Sequence, residues 1–252
     1  MKKFILIAMA VVGTLSVSAQ QKVYLSTYTG TNISKFSGQE CTITAPRYMC
    51  KGWNTVALPF SMSESEVNAA FGDDCRLERL ASAKSYNGAV VLNFQDCKSG
   101  GIQANTPYIL YYTGESGTKN IKVTAVVEQG IAVRRVNVEG SDEEVAMWGA
   151  QMQESSKGRY GILARDNAEA SFVNVDNINT GFGATRCFIT LSSGNNTNLV
   201  TTHNAETTGI SSSLKDNVGM NSDTPVYNLS GQQMKTVQKG VNIINGRKVI
   251  VK

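Results

Sequence analysis

The chain has 252 residues, with 24 Lys and Arg against 20 Asp and Glu, five Cys and a single His. A formal charge of +4 is too small for the basic footprint that nucleic-acid binding needs. Beyond the N-terminus no apolar run reaches the length that crossing a bilayer requires, so the chain is not read as transmembrane. A chain of this length can bury one large core, and the elements below are read on that basis.

Residues 1–19 read as a secretory signal. Lys2 and Lys3 precede an apolar run from Phe4 to Leu15, and Ser16-Val17-Ser18-Ala19 supplies small residues for a cut after Ala19. No cysteine follows to accept a lipid. Removing Lys2 and Lys3 leaves 22 bases against 20 acids, a charge of +2.

From residue 20 to residue 204 short apolar or alternating runs are separated by Gly, Asn, Asp and Ser. That spacing predicts an all-β fold, an antiparallel β-sandwich of jelly-roll type. Strands are expected at Val23 to Tyr28, Cys41 to Ala45, Trp53 to Pro59, Arg76 to Ala83 and Ala89 to Phe94. They continue at Tyr108 to Tyr112, Ile121 to Val127, Ile131 to Val138 and Val145 to Trp148. The last are Arg159 to Ala164, Ala170 to Val175, Thr185 to Leu191 and Asn198 to Thr202.

The strand at Trp53 is the organising one. Trp53, Thr55 and Ala57 alternate with Val56, Leu58 and Phe60, so both faces can be buried, and Trp53 is the expected core anchor. Pro59 sets its end, because proline cannot donate to a ladder. One short helix follows. Ser63 and Glu66 have capping-box spacing, Val67, Ala70 and Phe71 form an apolar stripe, and Gly72 ends it.

Residues 205–223 shift to Thr, Ser, Asn and Gly and read as a flexible linker. Residues 224–252 form a small β-module. Its Asn245-Gly246 is a strong hairpin signal, since both central residues of that turn need positive φ. This module carries Lys235, Lys239, Arg247, Lys248 and Lys252 and no acid, a charge of +5, which leaves −3 on the rest of the mature chain.

Few residue groups suggest chemistry. His203 is the only imidazole available to a nucleophilic relay, and it reads equally as a strand-end residue. No Cys-x-x-Cys or His-x-x-x-His spacing offers zinc a usual ligand set, and nothing implies a cofactor. In an exported chain Cys41 with Cys50 and Cys75 with Cys97 have hairpin-like spacing for disulfides, leaving Cys187 as a buried free thiol. The alternative is that all five cysteines are small core hydrophobes.

Asp73-Asp74, Asp142-Glu143-Glu144 and Asp166 are carboxylates that a glycan hydrolase could pair, or solvated turn residues, or a weak calcium site. Tyr108, Tyr111 and Tyr112 could form a glycan-stacking platform. The other arrangement puts Tyr108 and Tyr112 inward on one face of a strand and Tyr111 on the other. Gly181-Phe182-Gly183 lacks the strand-then-helix context of a phosphate loop and reads as a turn.

Two stretches carry a resemblance to secreted proteins of the Bacteroidota. Trp53-Asn54-Thr55 to Leu58-Pro59-Phe60, the helix ending Phe71-Gly72, and Ala104-Asn105-Thr106-Pro107-Tyr108-Ile109-Leu110 resemble a recurrent extracellular β-sandwich domain. Val226-Tyr227-Asn228-Leu229-Ser230-Gly231, Lys239-Gly240-Val241 and Asn245-Gly246-Arg247-Lys248-Val249-Ile250-Val251-Lys252 resemble the C-terminal sorting domain of the type IX secretion system. Asn242 stands where such tails usually place an aromatic or branched apolar residue. The resemblance implies a secreted or outer-membrane-surface protein whose tail engages the secretion machinery.

The expected function is therefore a non-enzymatic binding protein with a surface glycan or protein as partner. The alternatives are a glycan hydrolase working through loop carboxylates and a structural surface component.

Overall fold

The computed structural model of the chain describes residues 20–26, 31–162, 166, 170–176, 181–194 and 197–204, and strand residues 226–227, 233–234, 240–244 and 247–251 of the C-terminal module. The expected signal segment 1–19 and linker 205–223 lie outside the described residues.

The architecture is all-β with one short helix. In chain order the body contains β1 (Gln21–Tyr24), β2 (Glu40–Met49), β3 (Gly52–Val56), α1 (Glu64–Phe71), β4 (Arg76–Tyr86) and β5 (Ala89–Asp96). These are followed by β6 (Tyr108–Tyr112), β7 (Gly117–Val126), β8 (Val133–Glu139) and β9 (Glu144–Gly149). The rest are β10 (Tyr160–Ile162), β11 (Phe172–Asn174), β12 (Cys187–Leu191) and β13 (Asn198–His203). In the C-terminal module, β14 (Val226–Tyr227), β15 (Gln233–Met234), β16 (Gly240–Ile244) and β17 (Arg247–Val251) form their own sheet in the order β15-β14-β16-β17. There Ile244 pairs with Arg247 across the expected two-residue Asn245-Gly246 turn.

β3 and β6 sit between two cores. Val56 and Leu58 with Tyr108, Leu110 and Tyr112 pack into a first core against β1, β2, β7 and α1. Trp53 and Ala57 with Ile109 pack into a second core against residues of β8, β9, β10, β11 and β12. All five residues of β3 are buried, as the two-faced apolar pattern predicts. β3 ends at Val56, short of Pro59, because the chain there leaves the β6 ladder. The Ala57 N–H instead donates to the Thr185 carbonyl at 3.0 Å.

The large sheet forks at β4. One edge of β4 pairs with β5 along its length. The other edge takes β6 at Arg76 to Glu78 and then β8, in parallel, at Ala83 and Lys84. A register shift between Leu80 and Ser82 bends β4 at the branch point. In the interval between the two partners, Arg134 Nε donates to the Leu80 carbonyl at 3.1 Å. One branch continues to β3, the other through β9, β12 and β10 to β11, and the second core fills the space between them.

The sheets are mixed. β1 with β2, β4 with β8 and β5 with β13 pair in parallel, whereas the sequence reading expects antiparallel ladders. Parallel pairing of strands distant in sequence leaves no hairpin turn between them, so the text of the chain gives no local sign of it.

β2 runs from Glu40 through Pro46 to Met49, beyond its expected end at Ala45. The Thr44 carbonyl accepts from Leu25 N on the β1 side, and Pro46, two residues on, faces the same side past the end of β1. Its missing N–H therefore breaks no ladder bond. In α1 the Ser63 hydroxyl caps the Glu66 N–H, and the Glu66 carboxylate accepts from the Ser63 N–H at 2.7 Å. Gly72 follows at φ +95°.

Candidate binding surface

The residues singled out from the sequence are spread over the turn after α1, the start of β9, and the end of β13. Among the described residues no three His, Cys, Asp or Glu side chains group to hold a metal ion. Three of the loop carboxylates, Glu143, Glu144 and Asp166, have local structural partners. The Glu143 carboxylate accepts from the Ser192 hydroxyl (2.6 Å) and the Ser193 N–H (2.8 Å), and Glu144 pairs with Arg135 at 2.5 Å. Burial would raise the pKa of Glu143, but these serine bonds hold it below the usual value. Asp166 accepts from the Ser116 hydroxyl, and Asp73 and Asp74 lie exposed in the turn after α1.

The tyrosines of β6 do not make an outward platform. Tyr108 and Tyr112 are buried in the first core, and the Tyr108 hydroxyl accepts from the Gln103 N–H at 3.0 Å. Tyr111 is half-buried on the opposite face, under the Arg76 guanidinium at 4.6 Å.

All five cysteines are free thiols, with Cys41, Cys75 and Cys187 buried. The expected Cys41–Cys50 pairing is overturned by β2 itself, which extends from Glu40 to Met49 and holds the two at its opposite ends. Nine residues of extended strand span roughly 30 Å, whereas a disulfide needs Cα atoms within about 7 Å. The expected Cys75–Cys97 bridge is likewise unformed, although both residues pack at the first core.

A polar cluster closes the open end of the second core. Trp53, Tyr111 and Arg76 form one cross-strand row over β3, β6 and β4. The Trp53 ring is 4% exposed and stacks on His203 at 4.4 Å, with the rings 8° from parallel, and the Arg76 guanidinium lies over it at 4.8 Å. His203 Nδ1 meets Glu78 Oε2 at 2.5 Å. Glu78 is fully buried, and among the described residues its other oxygen has no hydrogen-bond partner. The arrangement fastens the end of β13 to the fork of the sheet, which is a positioning role.

A second polar group lies at the junction of the layers. Arg47 occupies the inward row of β2 beside Cys41, Ile43, Ala45 and Met49 and is 1% exposed. It donates to the Thr185 carbonyl at 2.7 Å, to the Thr185 hydroxyl and to the Thr55 carbonyl, tying β2 to β3 and to the turn before β12. Burial, and secondarily the nearby Arg186, pushes its pKa well below the ordinary arginine value.

The exposed aromatic rings lie elsewhere. Inward Val23 on β1, the inward row of β2, and Ile121 and Val123 on β7 leave the alternate side chains facing solvent. On that outer face Tyr24 is 64% and Tyr48 53% exposed, the two exposed aromatic side chains among the described residues. Register places Tyr24, Thr44 and Lys122 in one row and Tyr48 beside Thr118 in another. Four residues along and one strand across, the two rings are roughly 14 Å apart. The sequence reading passed over both, although Tyr24 stands between the inward Val23 and Leu25.

A small recess between Pro59, Asn105, Gln151 and Thr185 has room for about one or two waters and for nothing as large as a sugar ring. No family model matches the chain, and neither a curated protein nor a solved structure matches it.

Proposed function

We propose that this is an exported binding protein of the cell surface or extracellular space. It presents the outer face of the β1-β2-β7 sheet to its ligand, and its C-terminal module serves as a type IX sorting signal. The carrying observation is the pair of exposed tyrosines on a sheet whose other face is packed against the first core. A side-chain patch backed in this way is held rigid, which lowers the entropy lost on binding. Tyrosine rings offer large amphipathic contact area with few rotatable bonds to immobilise, which suits them to contact surfaces. The hydrolase alternative needs two carboxyl groups free to act on a bound sugar about 5 to 10 Å apart, whereas Glu143 and Glu144 are engaged by Ser192, Ser193 and Arg135.

The test is a lysine footprint. An amine-reactive, membrane-impermeant reagent applied to the purified protein should modify Lys22, Lys122 and the exposed Lys84 of β4 alike. On intact producing cells Lys22 and Lys122 should be protected while Lys84 is still labelled. Labelling of all three to the same degree in both settings argues against use of this face, and labelling of none on intact cells argues against export.

A further inference from the structure

We infer that the ligand of the outer sheet face is an acidic polysaccharide, a chain of sugar rings bearing carboxylate groups at intervals, laid across β1, β2 and β7. The inference rests on the binding reading above and adds the chemistry of the partner. Three features of the face carry it.

The first is the aromatic pair. Tyr24 and Tyr48, roughly 14 Å apart on a flat support, offer two stacking positions for an extended chain of rings, with no deep pocket that a compact ligand would need. The second is the surface between them. Thr44 and Asn120 face outward on β2 and β7 and present hydroxyl and amide groups, which both donate and accept and so match sugar hydroxyls.

The third is charge. Lys22 lies two residues before Tyr24 on the same face of β1, and Lys122 lies in the Tyr24 row across Thr44. Neither belongs to an ion pair among the described residues. Glu40, the acid on this face, stands opposite Val126 and diagonal to Lys22, so that Lys122 in the Tyr24 row is the ammonium farther from it. A sugar stacked on Tyr24 therefore has an unpaired ammonium on its own strand and another two strands over. Lys22 and Lys122 stand two strands and one outward row apart, roughly 12 Å, so carboxylates set at intervals along a sugar chain can meet them singly.

Affinity electrophoresis of the full-length protein tests this, in gels containing polygalacturonate, a neutral β-glucan or single-stranded DNA. Polygalacturonate should retard the parent. Tyr24→Ala with Tyr48→Ala should weaken that retardation at least about tenfold, the scale of one stacked ring. Lys22→Gln with Lys122→Gln should weaken it several-fold and remove most of its dependence on salt between about 0.05 and 0.3 M. All four positions are exposed, and unchanged melting of each variant shows that the fold is intact. Retardation by the neutral glucan alone, abolished by the tyrosine changes, overturns the acidic assignment and leaves the binding reading in place. Equal or stronger retardation by DNA overturns the polysaccharide assignment. Failure of the tyrosine changes to alter binding to any of the three removes this face as the binding site, and with it both readings.

Discussion

Arg47 shows how one residue can join three parts of a β-fold without an opposite charge. It sits where the alternation of β2 calls for an apolar side chain, and its guanidinium replaces water with the Thr55 and Thr185 carbonyls. Buried carbonyls left unpaired cost about 1–3 kcal/mol each, and truncation adds a cavity, so Arg47→Ala should lower stability by roughly 3–5 kcal/mol. Arg47→Met keeps most of the volume and should lose about half as much, through the hydrogen bonds alone. Urea midpoints of the two variants separate these contributions. Equal losses would mean that packing dominates, and no loss in either would mean that water enters the site. Neither result follows from sequence, where Arg47 is one more basic residue in a strand. Its partners, 8 and 138 residues away, become visible only once the layers are placed.

The same limit appears among the elements. Periodicity locates the strands of the body and the capped helix, because alternation and the Ser63-Glu66 pair are local signals. The fork of β4 and the parallel partners of β2, β4 and β5 are non-local and were not legible. The cysteines record the consequence. Spacing alone made Cys41–Cys50 look like a hairpin pair, yet Pro46 does not interrupt β2, and the two thiols are held a strand length apart. Cys75 and Cys97 behave differently. Cys97 N donates to the Leu77 carbonyl at 2.9 Å, so Cys75 lies two residues along from the residue opposite Cys97, a diagonal neighbour on the same face. Such neighbours are about 7 Å apart, at the upper limit of what a disulfide can bridge. Peptide mapping of oxidised protein without reduction is therefore expected to find Cys75 joined to Cys97 and no other link. Cys187, whose thiol burial pushes up to about 12, should resist alkylation at pH 8 until the chain unfolds. A link through Cys41, or rapid native-state labelling of Cys187, contradicts this arrangement.

At the scale of the whole molecule, the described body ends with β13. Asn204 N donates to the Phe94 carbonyl at 2.7 Å, and its side chain accepts from Asp96 N at 2.8 Å. With the His203 contacts to Trp53 and Glu78, these bonds finish the body before the polar stretch begins. The ladder bonds of β14 to β17 are internal to their own sheet. A module of about 30 residues is near the lower limit for a core of its own, which suits a segment that is read by other machinery more than one that supports the sandwich. A chain ending at Glu206 keeps every body contact named here, so its melting temperature should stay within about 2 °C of the full chain, less than the shift expected from 1 kcal/mol. In producing cells the truncated chain should accumulate in the periplasm, while the full chain reaches the surface or the medium. A large drop in melting temperature would make the module part of the fold. A truncated chain that melts normally and still reaches the surface would remove its role as an address.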